Sequence, residues 1–225
     1  MTAPDIIARL ETLADPDALE GMARFGITGA KVYGIKIPVL RALAKEIGHD
    51  HELAIALWNE NSRETRILAA MIDEPALVDE AQMEKWVSDF DSWEVCDQAI
   101  MCDFEKTALA WDKAVEWSAR EAEFEKRAGF VMMARLAVSD KTAPDSAFVP
   151  FFAIIRRESA DQRNFVKKAV SWALRQIGKR NQRLHPHALA LADELRRSDS
   201  AAARWIGNDA WRELTDEKTV ARIKS

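Results

Sequence analysis

Turn-forming residues are scarce in this chain: eight glycines and seven prolines in 225 residues, with a single tyrosine. A composition so poor in helix breakers favours helix throughout, and no stretch alternates apolar and polar residues as a half-buried strand would. No run of eighteen apolar residues occurs, so no transmembrane helix and no membrane partner is expected. The opening Met1-Thr2-Ala3-Pro4-Asp5 lacks a basic segment followed by an apolar one, and no secretory signal is expected. Cysteine is limited to Cys96 and Cys102, which point in different directions on a helix, so no disulfide between them is expected. His49, His51, His185 and His187 sit near loops and helix ends, with no His-x3-His pair and no second Cys/His cluster to complete a zinc site. His185-Pro186-His187 reads as a solvated helix start. The expectation is a reduced, cytoplasmic protein that uses no metal or cofactor.

What is abundant is apolar and charged: 48% of residues are hydrophobic and 31% charged, dominated by Ala, Leu, Glu, Lys and Arg. That is enough to bury a substantial core, and residues 1–225 read as one helical-repeat domain. The net charge of −5 hides a polarity. Residues 156–187 carry nine basic residues against Glu158 and Asp161, a net of +7, leaving −12 for the remainder. Such a chain can offer a polyanion one basic face, although a solvated charged helix face would produce the same pattern.

Helical periodicity runs from end to end. Two short helices over 5–24 break at Ala14-Asp15-Pro16-Asp17, and residues 25–38 hold three of the eight glycines and read as the one long loop, a frequent home of function. Helices are then expected over 39–47, 50–59, 63–72, 79–90, 92–106, 108–120, 121–138, 146–155, 161–177 (ending at Gly178), 187–197 and 201–223. Several open alike, with a basic residue ahead of small and aliphatic ones: Glu64-Thr65-Arg66, Glu125-Lys126-Arg127 and Phe165-Val166-Lys167-Lys168. Aligning Arg66, Asp97, Arg127 and Lys168 gives separations of 31, 30 and 41 residues. Loose periods of this size built from helix pairs signify a HEAT-like α-solenoid. An all-α, curved superhelix is expected, with these four residues opening successive inner helices and facing one basic concave groove.

Residues 90–105 draw the chemistry together. Ser92 is placed to cap a helix on which Trp93 and Asp97, at i and i+4, share one face. Lys168, Trp172 and Arg175 likewise share a face. Cations neutralise phosphates and release counterions, while an indole packs on a sugar or base. Trp58, Trp86, Trp111, Trp117, Trp205 and Trp211 lie in apolar runs and read as core.

Four stretches carry a resemblance to the AlkD family of DNA alkylation repair proteins, the HEAT-like-repeat DNA glycosylases. They are Tyr33-Gly34-Ile35-Lys36-Ile37-Pro38 with Arg41, Ser92-Trp93-Glu94-Val95-Cys96-Asp97, Lys126-Arg127, and Asn164 to Arg175. Their order and rough spacing match the family over about residues 20–200. The resemblance implies excision of N3- or N7-alkylated purines from double-stranded DNA by a monofunctional glycosylase, without a need to flip the base. Asp97 would stabilise an oxocarbenium-like deoxyribose and orient a water, Trp93 and Trp172 would pack on that sugar, and Arg127 would hold the backbone phosphate at the lesion. Lys36, Arg41, Arg66, Lys126, Arg163, Lys167, Lys168, Arg175, Lys179 and Arg180 would contact DNA. The family's motif commonly reads Trp-Asp-x-x-Asp, and here Glu94 stands second, facing away from Trp93 and Asp97. A monomer is expected. Two other readings stay open: a non-catalytic solenoid binding branched or bent DNA, and a protein-interaction scaffold.

Overall fold

Helices follow one another along the described chain, and half of them begin at a side chain that takes one of the first free backbone N–H groups. A computed structural model describes residues 1–29 and 31–223; Ala30, inside the expected loop 25–38, lies outside the described residues. The described residues form helices α1 (Ala3–Thr12), α2 (Ala18–Arg24), α3 (Ile37–Ile47), α4 (His51–Asn59), α5 (Arg63–Ile72), α6 (Glu80–Ser88), α7 (Trp93–Cys102), α8 (Ala110–Ser118), α9 (Glu123–Ser139), α10 (Asp145–Glu158), α11 (Asn164–Arg180), α12 (His185–Arg196), α13 (Ala201–Leu214) and α14 (Glu217–Val220). Asp50, Ser62, Asp79, Ser92 and Ser200 cap α4, α5, α6, α7 and α13, each side chain accepting a backbone N–H three residues on. A 3-10 turn, Phe104–Lys106, follows α7. Among the described residues there is no strand.

The helices gather into two compact units, Met1–Ala108 and Leu109–Ser225. In the first, α3 packs on α5 and α5 on α7, with α4 against α5. In the second, α9 packs on α8 and α11, and α13 on α11 and α12. The inner members are recognisable by burial: α5 and α9 are covered along nearly their whole length.

Each unit keeps its own repeat. In the first, Tyr33–Glu64, Trp58–Asp89 and Arg63–Glu94 are hydrogen-bonded pairs 31 residues apart. In the second, Arg127–Phe165, Ser171–Asp209, Arg175–Glu213 and Arg156–Glu194 are pairs 38 apart. The first period is the one that relates Arg66 to Asp97. In the second unit, Arg127 is in register with Phe165 and not with Lys168, which stands about one turn further along α11.

Several expected helix limits moved: the helix expected over 92–106 ends at Cys102 and gives way to the 3-10 turn, and that expected over 146–155 runs on to Glu158. Gly178 does not stop α11, which continues to Arg180. Its hydrogen is there for packing: a Cβ would stand 2.6 Å from the Ala188 Cβ and 2.9 Å from a Leu214 methyl. The last expected helix, 201–223, breaks after Leu214, where the Asp216 side chain caps a new short helix. Gly129 is a stricter case, since a Cβ there would overlap the backbone of Ser118 on α8. Backbone cannot move aside as a leucine methyl can. Gly129→Ala should therefore destabilise the protein more than Gly178→Ala, the latter costing about 1–3 kcal/mol as ordinary overpacking does. Urea unfolding of the two variants tests this, and the reverse order would contradict it.

The first unit also buries two carboxyl groups side by side. Asp73 accepts hydrogen bonds from His51 Nδ1 at 2.6 Å, Gln82 Nε2 at 2.5 Å and the Glu74 backbone at 2.8 Å. Asp103 is fully buried and neither of its oxygens meets a donor. Burial first, and then the neighbouring Asp73 charge, push the Asp103 pKa up to about 8. The unfolded chain releases that proton near pH 4, whereas the folded chain keeps it to about pH 8. Folded protein thus holds the extra proton across that window, and stability falls as pH rises through it. Asp103→Asn, neutral at every pH, should lose less stability between pH 5 and pH 8.5 than wild type when melting is followed by circular dichroism. Parallel losses would show that Asp103 is not the titrating group.

Candidate functional site

The start of α7 is held by a chain of buried charge. Arg63, at the start of α5, donates from Nε to Glu94 Oε2 at 2.7 Å and from a terminal nitrogen to Glu64 Oε1 at 2.6 Å and the Ile35 carbonyl at 2.9 Å. Glu64 in turn accepts from the backbone N–H groups of Tyr33 and Ile35, at 2.9 and 3.2 Å. Burial works against the Arg63 charge, but the hydrogen bonds and charges of Glu94 and Glu64 outweigh it and raise its pKa. The sequence shows Glu94 only as a departure facing away from Trp93 and Asp97. In the structure it is the residue that ties the first turn of α7 to α5, and through Arg63 to the Tyr33–Ile35 segment.

On that clamped helix Trp93 is half-buried and Asp97 is 8% exposed, one turn further on. The Trp93 indole N–H donates to the Phe25 carbonyl at 2.9 Å, which fixes the ring against the loop after α2. Cys96 is sealed in the core between them. Phe25 is a residue that sequence reasoning missed: its ring is 75% exposed, beside the Trp93 tether. The available signal was an aromatic directly before Gly26 in the glycine-bearing loop.

The cations of the first unit divide sharply. Arg66 is nearly buried, donates to the Asp89 carbonyl at 2.7 Å, lies 3.4 Å from Asp91 and stacks over Trp58. It joins α5 to the α6–α7 connection and is not offered to solvent, unlike the groove-facing residue expected from its position. Trp58 is core, stacked on Trp86 at 3.9 Å between ring centroids. Lys36 and Arg41 are exposed, and among the described residues no carboxylate pairs with either.

In the second unit the expected DNA-binding residues spread along α9 and α11. Arg127 is nearly buried and donates to the Phe165 carbonyl at 2.7 Å. Lys126 bridges to Glu158 at 2.6 Å and stands 3.9 Å from Asp161. Arg163 pairs with Asp161 and donates to the Glu121 carbonyl. Arg175 and Lys179 share Glu213, and Arg175 also lies 3.4 Å from Asp209. Arg180 donates to the carbonyls of Ala137 and Ala143 and covers Phe148. Lys179 and Arg180 sit in the last turn of α11, about 18 Å of helix beyond Lys168. Of the nine cations in the +7 segment, Arg156, Arg175 and Lys179 are answered by carboxylates from later helices, and Arg157, Arg163 and Arg183 by Glu158, Asp161 and Asp145.

Lys168 is exposed and, like Lys167 and Arg180, has no carboxylate partner among the described residues; it stands one turn before the half-buried Trp172. Beside it, Lys167 lies 5.0 Å over the ring of Trp205. Trp205, expected in the core, is 38% exposed and lies on the surface beside Lys167.

The paired inner helices and the 31- and 38-residue registers define a HEAT-like-repeat protein. The chain is similar to a solved structure described as "a new family of proteins related to the HEAT-like repeat DNA glycosylases with affinity for branched DNA structures", with 19% identity, a TM-score of 0.75, and coverage of 94% of this chain and 95% of that one. Residues 6–214 match the family model described as "DNA alkylation repair enzyme", and the chain belongs to that family. No protein of curated function matches it.

When Glu94 is removed Arg63 keeps Glu64, but its buried Nε loses its partner. Glu94→Ala should therefore cost about 1.5–3 kcal/mol in urea unfolding, the scale of losing a hydrogen bond to a charged group. A cost below about 1 kcal/mol, the range of an exposed pair, would mean that Glu94 does not hold α7.

Proposed function

We propose that this protein is a DNA glycosylase that releases N3- or N7-alkylated purines from duplex DNA. Family membership supports the repair setting, and the observation that carries the reading is Asp97: a nearly buried carboxylate one turn beyond the tethered Trp93, on a helix whose first turn is clamped. Alkylation at N3 or N7 leaves the purine cationic, so the base departs with the electrons of its C1′–N bond. Positive charge then develops on the deoxyribose. A carboxylate fixed at that point stabilises the charge without reorganising, and an indole face favours the same cation. Water forms the new bond to C1′ and gives up a proton, leaving an abasic sugar and a neutral base. On the family resemblance, Trp172 packs on the deoxyribose and Arg127 holds a backbone phosphate. Lys36, Arg41 and Lys168, exposed cations without a carboxylate partner among the described residues, are proposed to contribute phosphate contacts.

Asp97→Asn keeps the size of the side chain and removes its charge. Release of 7-methylguanine from alkylated duplex should slow by on the order of 10²-fold or more, the scale of losing one preorganised electrostatic group. Equal rates for the two proteins would remove Asp97 from the reaction.

A second reading has its own support, since the solved relative is described by its affinity for branched DNA. A non-catalytic DNA binder would give no base release from either protein, while both would bind a four-way junction with strong salt dependence.

A further inference from the structure

The inner helices of the first unit run side by side in the same direction. At their starts Arg63 of α5 reaches Ile35 ahead of α3 and Glu94 on α7; at their ends His49, just past α3, bonds to the Asp73 carbonyl, just past α5. Trp93 opens α7 at the starting end of this row, with Asp97 one turn further in. Gly48 and His49 lie at the finishing end. That end holds a cavity of about 390 Å³ lined by Arg41, Ala44, Lys45, Gly48, His49 and Met71.

Its charge is one-sided. Arg41 and Lys45 stand one turn apart on α3, both exposed, and among the described residues neither has a carboxylate partner. Of the acids nearby, Glu46 pairs with Arg9 at 2.6 Å, Asp73 is buried and bonded to His51 and Gln82, and Asp50, next to His49, accepts the Leu53 backbone N–H at 3.0 Å as the cap of α4. The His49 ring is pinned, donating from Nδ1 to the Asp73 carbonyl at 2.9 Å. Gly48 ends α3 with a φ of +82°, a conformation other residues rarely adopt, and a Cβ there would meet nothing within 4 Å, so the mouth is open. A concave site with a guanidinium fork, an ammonium and an imidazole, and no lining carboxylate, has the chemistry of a phosphate receptor.

We propose that this cavity binds a phosphate group, with Arg41 and Lys45 as the two charged donors and His49 at the rim, and that the group is a backbone phosphate of DNA held away from the excision site. The proposal rests on the DNA-binding part of the reading above and is independent of base release.

The test uses undamaged duplex, so that a failure of the excision chemistry cannot affect it. Binding is measured against salt concentration for wild type, Arg41→Ala/Lys45→Ala and Lys45→Glu. Inorganic phosphate is titrated in parallel while the backbone amide signals of Gly48 and His49 are followed by NMR. The expected result is weaker DNA binding by the double variant, a slope of log affinity against log salt shallower by about 0.9, one phosphate's worth, and a larger loss for Lys45→Glu. Saturable phosphate shifts that vanish in the double variant, with an unchanged DNA slope, would keep the phosphate site but assign it to a free phosphate-bearing molecule and overturn the DNA source. An unchanged slope without saturable shifts at Gly48 and His49 would overturn the site altogether.

Discussion

The buried run Glu64–Arg63–Glu94 is the constraint on which the candidate chemistry of the first unit depends. One guanidinium holds the first turn of α7, the segment ahead of α3 and the start of α5 in a single arrangement. A buried pair of this kind is weak evidence for stability as such, because desolvation offsets much of the attraction. Its value is directional. It fixes the pitch and rotation of α7, so that Trp93 and Asp97 keep a set position, and a reacting sugar needs a carboxylate fixed in place more than it needs another charge nearby.

The distribution of cations leads to a related conclusion. A count along the chain marks 156–187 as a basic segment, yet the helices that follow supply Glu194, Asp209 and Glu213 to answer it. Those carboxylates have a structural role, setting the 38-residue register between α10 and α12 through Glu194 and between α11 and α13 through Asp209 and Glu213. Among the described residues, the exposed cations that no carboxylate answers include Lys36, Arg41 and Lys45 in the first unit and Lys168, beside the Lys167–Trp205 pair, in the second; Arg127, to which the family resemblance gives a phosphate, is nearly buried instead. Sparse contacts in chosen places give position, whereas a dense basic surface would mainly give affinity.

The fold was legible wherever local chemistry decides it. The limits of α5 at Arg63 and Ile72 follow from Ser62 and Thr65 at the start and the Asp73–Pro75 break after it, and Ser92 marks the start of α7. The sequence failed where a residue answers to a distant neighbour. Gly178 reads as a stop signal, but Ala188 and Leu214 need its missing side chain. Arg66 reads as a groove cation, but the Asp89 carbonyl and Trp58 claim it. Trp205 reads as core, and Phe25 was passed over, because exposure of an aromatic is set by which helices happen to cover it. In the candidate site, the Trp93–Asp97 face was readable from helical spacing, while the role of Glu94 required knowing that Arg63 lies across from it.

The central claim is that Asp97 acts on a cationic sugar. Its most direct test compares two abasic-site duplexes, one with a pyrrolidine ring that carries a positive charge at the sugar and one with neutral tetrahydrofuran. Wild type should bind the charged analogue tighter by on the order of tenfold or more, as a mimic of the transition state, and Asp97→Asn should lose that preference. Equal binding of the two duplexes by wild type, or a preference that survives in Asp97→Asn, would contradict the account.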